Sequence, residues 1–352
     1  MKLRIEHQHL GNRICEMVFF FLYGLVRVLP LSLFHRMAGP FLHVFIRFAI
    51  PRKRVVRNLS AVFGRSYSGA TKDGLARGIQ EHFFRNLFDC MLQLADDQHA
   101  MKIVHIEGKE HLESALRKGK GIIAFGAHIG NFVLLGTCLG LNGHRFHTLF
   151  RIPSDKRIQK LIATFLPNYH QSVIPSRPAR SAVTKVLAAL KRNEIVHILG
   201  DNLKKGKVDA LLFGHRVPSP RGPISLALRS EAPVVPMYLI RNYGGDMNLD
   251  MNLIIEPEIE LVRSGSLGED ISINTRRMVR YLESLIGKYP DQWNWLTVRL
   301  NKHHFDLTPD MNVSDSSNLD PLPGDRKKDA ADEEGQTCDF MLGKHRWKKR
   351  AV

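Results

Sequence analysis

Along this chain, short unbroken apolar runs alternate with segments whose apolar residues recur every three to four positions, the pattern of buried strands interleaved with amphipathic helices. Residues 122 to 125, Ile-Ile-Ala-Phe, form such a run between Gly121 and Gly126 and predict a short buried strand. Gly126 and Gly130 allow a tight turn after it, and Asn131 predicts the cap of a helix through Phe132, Leu134 and Leu135. Residues 147 to 150 read as another strand, with Arg151 just beyond it. Further on, Val183, Val186, Leu187 and Leu190 fall at helical spacing, and Lys191-Arg192-Asn193-Glu194 ends that helix, Asn193 being suited to a left-handed turn. Residues 195 to 199, Ile-Val-His-Ile-Leu, predict a second buried strand with Asp201 at its exit. The stiff turn Pro218, Pro220, Arg221, Gly222, Pro223 precedes an apolar helix over residues 224 to 228, whose N-terminus could face an anion. No internal repeat is evident. The alternation predicts one large α/β domain over residues 51 to 305.

The two ends of the chain read differently. Residues 17 to 33 carry Arg27 as their only charge, and residues 38 to 50 form a second apolar stretch interrupted by Pro40, His43 and Arg47. Both are short beside the ~20 residues of a comfortable spanning helix. No small-residue cleavage site of a signal peptide follows them. Residues 1 to 50 are therefore expected to be an uncleaved helical anchor, either one strained span or a helix lying in the interface. Arg36, Arg47, Arg52, Lys53, Arg54 and Arg57 would be held toward anionic cytoplasmic lipid. Residues 306 to 352 are rich in Asp, Ser, Asn, Pro and Gly with few large apolar side chains, and are expected to be a disordered tail.

Charge and cysteine usage narrow the partners. A net charge of +17 over 352 residues points to an anionic partner, whether nucleic acid, phosphorylated glycolipid, anionic bilayer or acidic carrier protein. No helix-turn-helix, RNA-recognition or zinc-finger pattern is present, so no nucleic-acid partner is expected. Cys15, Cys90, Cys138 and Cys338 have neither metal-type nor disulfide-framework spacing, which suits a reducing compartment and predicts no metal site.

His128 stands at the mouth of the first strand, just before the helix capped by Asn131, where α/β enzymes gather their chemistry. The segment His128-Ile-Gly130-Asn131-Phe132 resembles the His-x-Gly-Asn-aromatic-Glu signature of the late acyltransferases of lipid A biosynthesis, members of the His-x4-Asp/Glu acyltransferase superfamily. Val133 stands in the acidic position. The resemblance extends, in order, through Arg-Val-Val-Arg-Asn-Leu at 54 to 59, the Ile106-Glu-Gly-Lys-Glu-His-Leu segment, Asp201-Asn202, Phe213-Gly214, Leu226-Ala-Leu, Ala232 to Pro236, and Tyr289-Pro-Asp-Gln-Trp-Asn-Trp. It thus covers residues of about 50 to 300. It implies a glycerolphosphate-acyltransferase-like fold, a single mixed-sheet α/β domain flanked by helices.

The resemblance also implies an activity. A fatty acyl chain would pass from an acyl-carrier thioester, either acyl carrier protein or acyl-CoA, to a hydroxyl of a phosphorylated, lipid A-type glycolipid at the cytoplasmic face of the inner membrane. No cofactor is needed, because the thioester is already activated. His128 is the expected base, since an alcohol attacks poorly until its proton is removed and imidazole titrates near neutrality. In the family the acid five positions later holds the other ring nitrogen, and Val133 cannot. Two residues could stand in: the Asn131 amide oxygen, or Asp201, favoured for its place at a strand exit. Arg151 matches an arginine of the family and could hold a phosphate or polarise the thioester carbonyl. Lys204, Lys205 and Lys207 around Gly206 form a candidate basic lip, with Arg221 a second-rank candidate. The other reading of Val133 is a degenerate relative that binds acyl carrier or lipid without turnover.

Overall fold

The structure is a computed structural model that describes residues 17, 20–29, 33, 52–64, 67–153, 155–203, 206–242 and 251–295. By internal packing the chain divides into Met1–Met311 and Asn312–Val352, and the second unit lies wholly outside the described residues. The expected tail and the expected anchor apart from residues 17, 20–29 and 33, as well as Lys204 and Lys205, lie outside them too.

In chain order the elements are α1 Arg52–Phe63, α2 Gly69–Ala95, α3 His99–Ile103, β1 Val104–Glu107, α4 Lys109–Arg117, β2 Ile122–Gly126, α5 Phe132–Leu141, β3 Phe146–Phe150, α6 Lys156–Phe165, β4 Gln171–Pro175, α7 Ala179–Lys191, β5 Ile195–Leu199, β6 Val208–Leu212, β7 His215–Ser219, α8 Gly222–Ser230, β8 Val234–Arg241, β9 Met251–Ile255 and α9 Leu267–Lys288. Seven strands form one mixed sheet in the order β1-β9-β8-β2-β5-β3-β4. Strands β8, β2, β5, β3 and β4 run parallel, and β9 reverses against β8 and carries β1 with it.

The central strands are apolar along their whole length because both faces are covered, and side chains alternate between the faces. Ile123, Phe125, Val196, Ile198 and Val234 point to a core closed by Val186 and Leu190 of α7, Ile224 and Ala227 of α8, and Met278, Leu282 and Ile286 of α9. Ile122, Ala124, Ile195, Val235 and Met237 point the other way, against Leu134, Leu135 and Leu139 of α5 and Leu112 and Ala115 of α4. The chain is thus an α/β domain with a mixed sheet flanked by helices. Strands β6 and β7 form a separate antiparallel hairpin, turned by Phe213 (φ 49°) and Gly214 (φ 77°), a pair of positive-φ residues as tight hairpins require.

The helix boundaries follow their caps. Ser68 Oγ accepts the Thr71 amide at the start of α2 (3.1 Å), and Asp155 accepts those of Arg157 and Ile158 at the start of α6 (2.7 and 3.4 Å). Asn193 has φ 60°, the left-handed conformation expected of it. Within the apolar N-terminal region, residues 20–28 are helical, with Leu22 and Val26 buried against Met91 and Leu92 of α2. Among the described residues, no helix is long and apolar enough to cross a membrane.

Candidate active site

Strands β2 and β5 are direct neighbours, with Gly126 opposite Leu199, and the Gly200 amide continues the ladder by donating to the Gly126 carbonyl (2.8 Å). Residues just beyond the two strand ends are thereby brought together at the carboxyl edge of the sheet. His128 Nδ1 lies 2.8 Å from Asp201 Oδ1, and the His128 backbone amide donates to Asp201 Oδ2 at 2.8 Å. The Trp293 indole Nε1–H donates to the same Oδ2 at 2.9 Å.

The Asp201 side chain is fully buried, whereas that of His128 is 26% exposed. Burial pushes the Asp201 pKa up, but the His128 charge and the bonds from the ring, Trp293 and the His128 amide outweigh it and hold the carboxyl below its ordinary value. An ionised carboxylate can only accept, so the Nδ1 facing it carries the ring proton. That tautomer leaves Nε2 as the basic nitrogen.

The loop carrying His128 is tied at successive backbone groups. Asn294 N–H donates to the His128 carbonyl (2.8 Å), Gly130 N–H to the Gln292 carbonyl (3.0 Å) and Asn131 N–H to the Leu239 carbonyl (2.8 Å), while Asn86 Nδ2 holds the Gly130 carbonyl (2.9 Å). Gly130 has φ +58°, and a Cβ there would stand 1.8 Å from the Leu239 oxygen, so only glycine lets the loop lie this close to β8. Gln292 exchanges two hydrogen bonds with the Arg241 backbone (2.9 and 2.8 Å), and the Arg241 guanidinium is paired with Asp89 of α2 in the interior.

Of the residues singled out from sequence, the structure joins two. Asn131 is not the ring's partner: its amide oxygen accepts the Leu134 amide at 3.3 Å and caps α5, because a residue at a helix start satisfies the free N–H groups above it first. Val133 is 54% exposed on α5, so its position faces solvent while Asp201 occupies Nδ1. Arg151 is exposed beyond the end of β3, on the sheet edge shared with Asp201, and Arg221 is exposed at the start of α8. Neither has a described bond to the pair.

Several residues here carried little signal in sequence. Trp293 reads as core, and its bond to Asp201 was legible at most from the polar Gln292 and Asn294 around an otherwise apolar side chain. Asn86 and Asp89 gave none, and Gln292 entered only as part of the Tyr289 to Trp295 block of the resemblance. His197 of β5 lies under the site, fully buried, with no hydrogen-bond partner for either ring nitrogen among the described residues; burial, and secondarily the His128 charge, push its pKa down to about 4. At the opposite edge of the sheet His147 bridges Ser172 (2.6 Å) and Glu194 (2.7 Å), tying β3, β4 and the start of β5. Among the described residues no cluster of His, Cys, Asp or Glu could hold a metal ion, and burial pushes the thiols of Cys90 and Cys138 up to about 12. A cleft of about 160 Å³ between α3, β1 and the far end of α5, lined by Ala100, His105, Lys109, Cys138 and Asn142, does not include His128.

A partly exposed histidine held by a buried carboxylate at the carboxyl edge of a central parallel strand is an arrangement capable of acid–base chemistry. The chain belongs to the bacterial lipid A biosynthesis acyltransferase family, which matches it over residues 1–302. It is also similar to the phosphatidylinositol mannoside acyltransferase of Mycolicibacterium smegmatis, 22% identical over 291 residues that cover 82% of this chain and 91% of that protein. The protein is thus an acyltransferase of this family.

Proposed function

We propose that the protein is a membrane-associated O-acyltransferase that moves a fatty acyl chain from an acyl-carrier thioester to a hydroxyl of a lipid A-type glycolipid precursor. The observation that carries this reading is the His128–Asp201 pair, which supplies the carboxylate that Val133 lacks. His128 Nε2 takes the proton of the acceptor hydroxyl as its oxygen attacks the thioester carbonyl. The tetrahedral intermediate collapses with cleavage of the C–S bond, and the imidazolium returns the proton to the departing thiolate. Asp201 stays ionised throughout, holding the ring and stabilising the imidazolium.

The binding roles rest on charge and place. Arg151, beyond the end of β3, and Arg221, at the start of α8, are assigned to substrate phosphate or the developing oxyanion, with Lys204 and Lys205 as a basic lip after Asp201. The name of the mycobacterial relative specifies a mannosylated phospholipid acceptor, which supports a phosphorylated glycolipid here. The donor, acyl carrier protein or acyl-CoA, is anionic and suits a chain of charge +17. The apolar N-terminal region and the basic residues after it support placement at the cytoplasmic face of the inner membrane.

The test is transfer of labelled acyl chains from carrier thioester to a lipid A precursor by the full-length protein and by His128→Ala. Transfer by the wild type, abolished in the variant, is expected. Wild-type rates in His128→Ala would sink the mechanism, and activity confined to Val133→Glu would identify a lapsed enzyme that binds without turnover.

A further inference from the structure

Among the described residues Asp201 accepts three hydrogen bonds, and two of them come from His128. The third donor is Trp293, whose side chain is buried on the segment that closes over the His128 loop. That segment is zipped to the loop on both sides of the indole, by Gly130 N–H to Gln292 O and by Asn294 N–H to His128 O, with Trp293 itself in a β-bridge to Ile129. A buried indole N–H needs a partner, but a neutral carbonyl would suffice. Trp295, two residues on and edge-on to Trp293 (4.7 Å between centroids), uses the Pro290 carbonyl at 2.6 Å. Trp293 instead directs its proton at the charged group that holds the catalytic ring.

We propose that Trp293 is a positioning residue that sets the basicity of the His128–Asp201 pair. The inference rests on the acyltransferase reading for its functional consequence, but not for its measurement. Each donor on a carboxylate draws off part of its negative charge and favours the ionised form. With the indole N–H present, the carboxylate has less charge to offer the imidazolium. Removing it leaves Asp201 a stronger acceptor, so the protonated ring becomes more stable and the base is freed only at higher pH. Among the described residues, the other ionisable groups around the pair are His197 from β5 beneath it and, behind the loop, His82 and Asp89 of α2 with Arg241 at the end of β8. None of these changes when the indole N–H is removed.

The decisive experiment compares full-length wild type, Trp293→Phe and Trp295→Phe, following the His128 ring by heteronuclear NMR across pH and the acid limb of the acyl-transfer rate profile. Trp293→Phe should raise the His128 midpoint by roughly half to one pH unit and move the acid limb equally. Trp295→Phe, which loses an indole N–H bonded elsewhere, should move neither. An unchanged midpoint in folded Trp293→Phe, or an equal shift in Trp295→Phe, overturns the proposal. Should Trp293→Phe fail to fold, the wild-type Trp293 indole proton resonance must titrate with the His128 midpoint, and a resonance flat across that range overturns it as well. Absence of transfer by the wild type would count against the acyltransferase reading while leaving the NMR result to judge Trp293.

Discussion

Replacing Asp201 by Asn removes the charge while keeping the shape, and the three donors on the carboxylate determine how the site responds. Two of them, the His128 amide and the Trp293 indole, point at Oδ2, and the ring points at Oδ1. An asparagine must put its oxygen on one side and its NH₂ on the other. With the NH₂ at the Oδ2 position, two N–H donors would face a donor, leaving buried groups unpaired at about 1–3 kcal/mol each. The oxygen therefore takes that side, and the NH₂ faces His128 Nδ1, which must then accept. That forces the proton onto Nε2, the nitrogen that acts as base in the proposed mechanism. The same tautomer inversion lowers turnover by roughly 10⁴ in the serine protease triad, the closest physical analogue. Asp201→Asn should thus lose about three to four orders of magnitude in kcat, with little change in KM and a stability change of at most about 1–3 kcal/mol. Single-turnover acyl transfer, thermal melting and the double variant with His128→Ala are the assays. If the two residues act as a unit, the double variant is no slower than His128→Ala alone. Asp201→Asn that keeps its fold and turns over within tenfold of wild type would refute the reasoning.

Three further outcomes are expected. His197 has its pKa pushed by burial from 6.5 to about 4, so the unfolded chain takes up its proton first as pH falls. Stability should fall between pH 6.5 and 4, by up to about 3 kcal/mol from this residue, with His82, pushed by burial to about 3, acting in the same direction. Urea melts of wild type and His197→Leu across that range check this, and equal slopes would contradict it. Gly130→Ala, whose Cβ would meet the Leu239 oxygen at 1.8 Å, should displace the His128 loop and cost on the order of 10² in kcat; unimpaired kcat would show that the loop's placement does not matter. Val133→Glu at a 54% exposed site should change stability by no more than about 0.5 kcal/mol, and a drop of several kcal/mol on melting would show that the side chain is enclosed.

Features that depend on near neighbours along the chain were legible in the sequence. The apolar run at residues 122 to 125 forms β2, Asn131 caps α5, the helical spacing before Lys191 gives α7, Asn193 turns left-handed, and residues 195 to 199 form β5. Each is set within a turn or a few strand residues, by period, cap or φ preference, so the local pattern suffices. The sheet order β1-β9-β8-β2-β5-β3-β4 and the reversal at β9 depend on which edges pair across long separations, and no local pattern encodes that. The site lies on the same divide. From sequence, Asn131 and Asp201 are alternative partners for His128. Asn131 is three residues away but gives its oxygen to the helix start, while Asp201, 73 residues away, reaches the ring because β2 and β5 end side by side. Trp293, a further 92 residues along, reads as one more core aromatic, and only the fold of the closing segment onto the His128 loop turns its N–H toward the carboxylate. Composition and periodicity assign a side chain to the interior; the particular polar atom it meets there is fixed by register between distant segments.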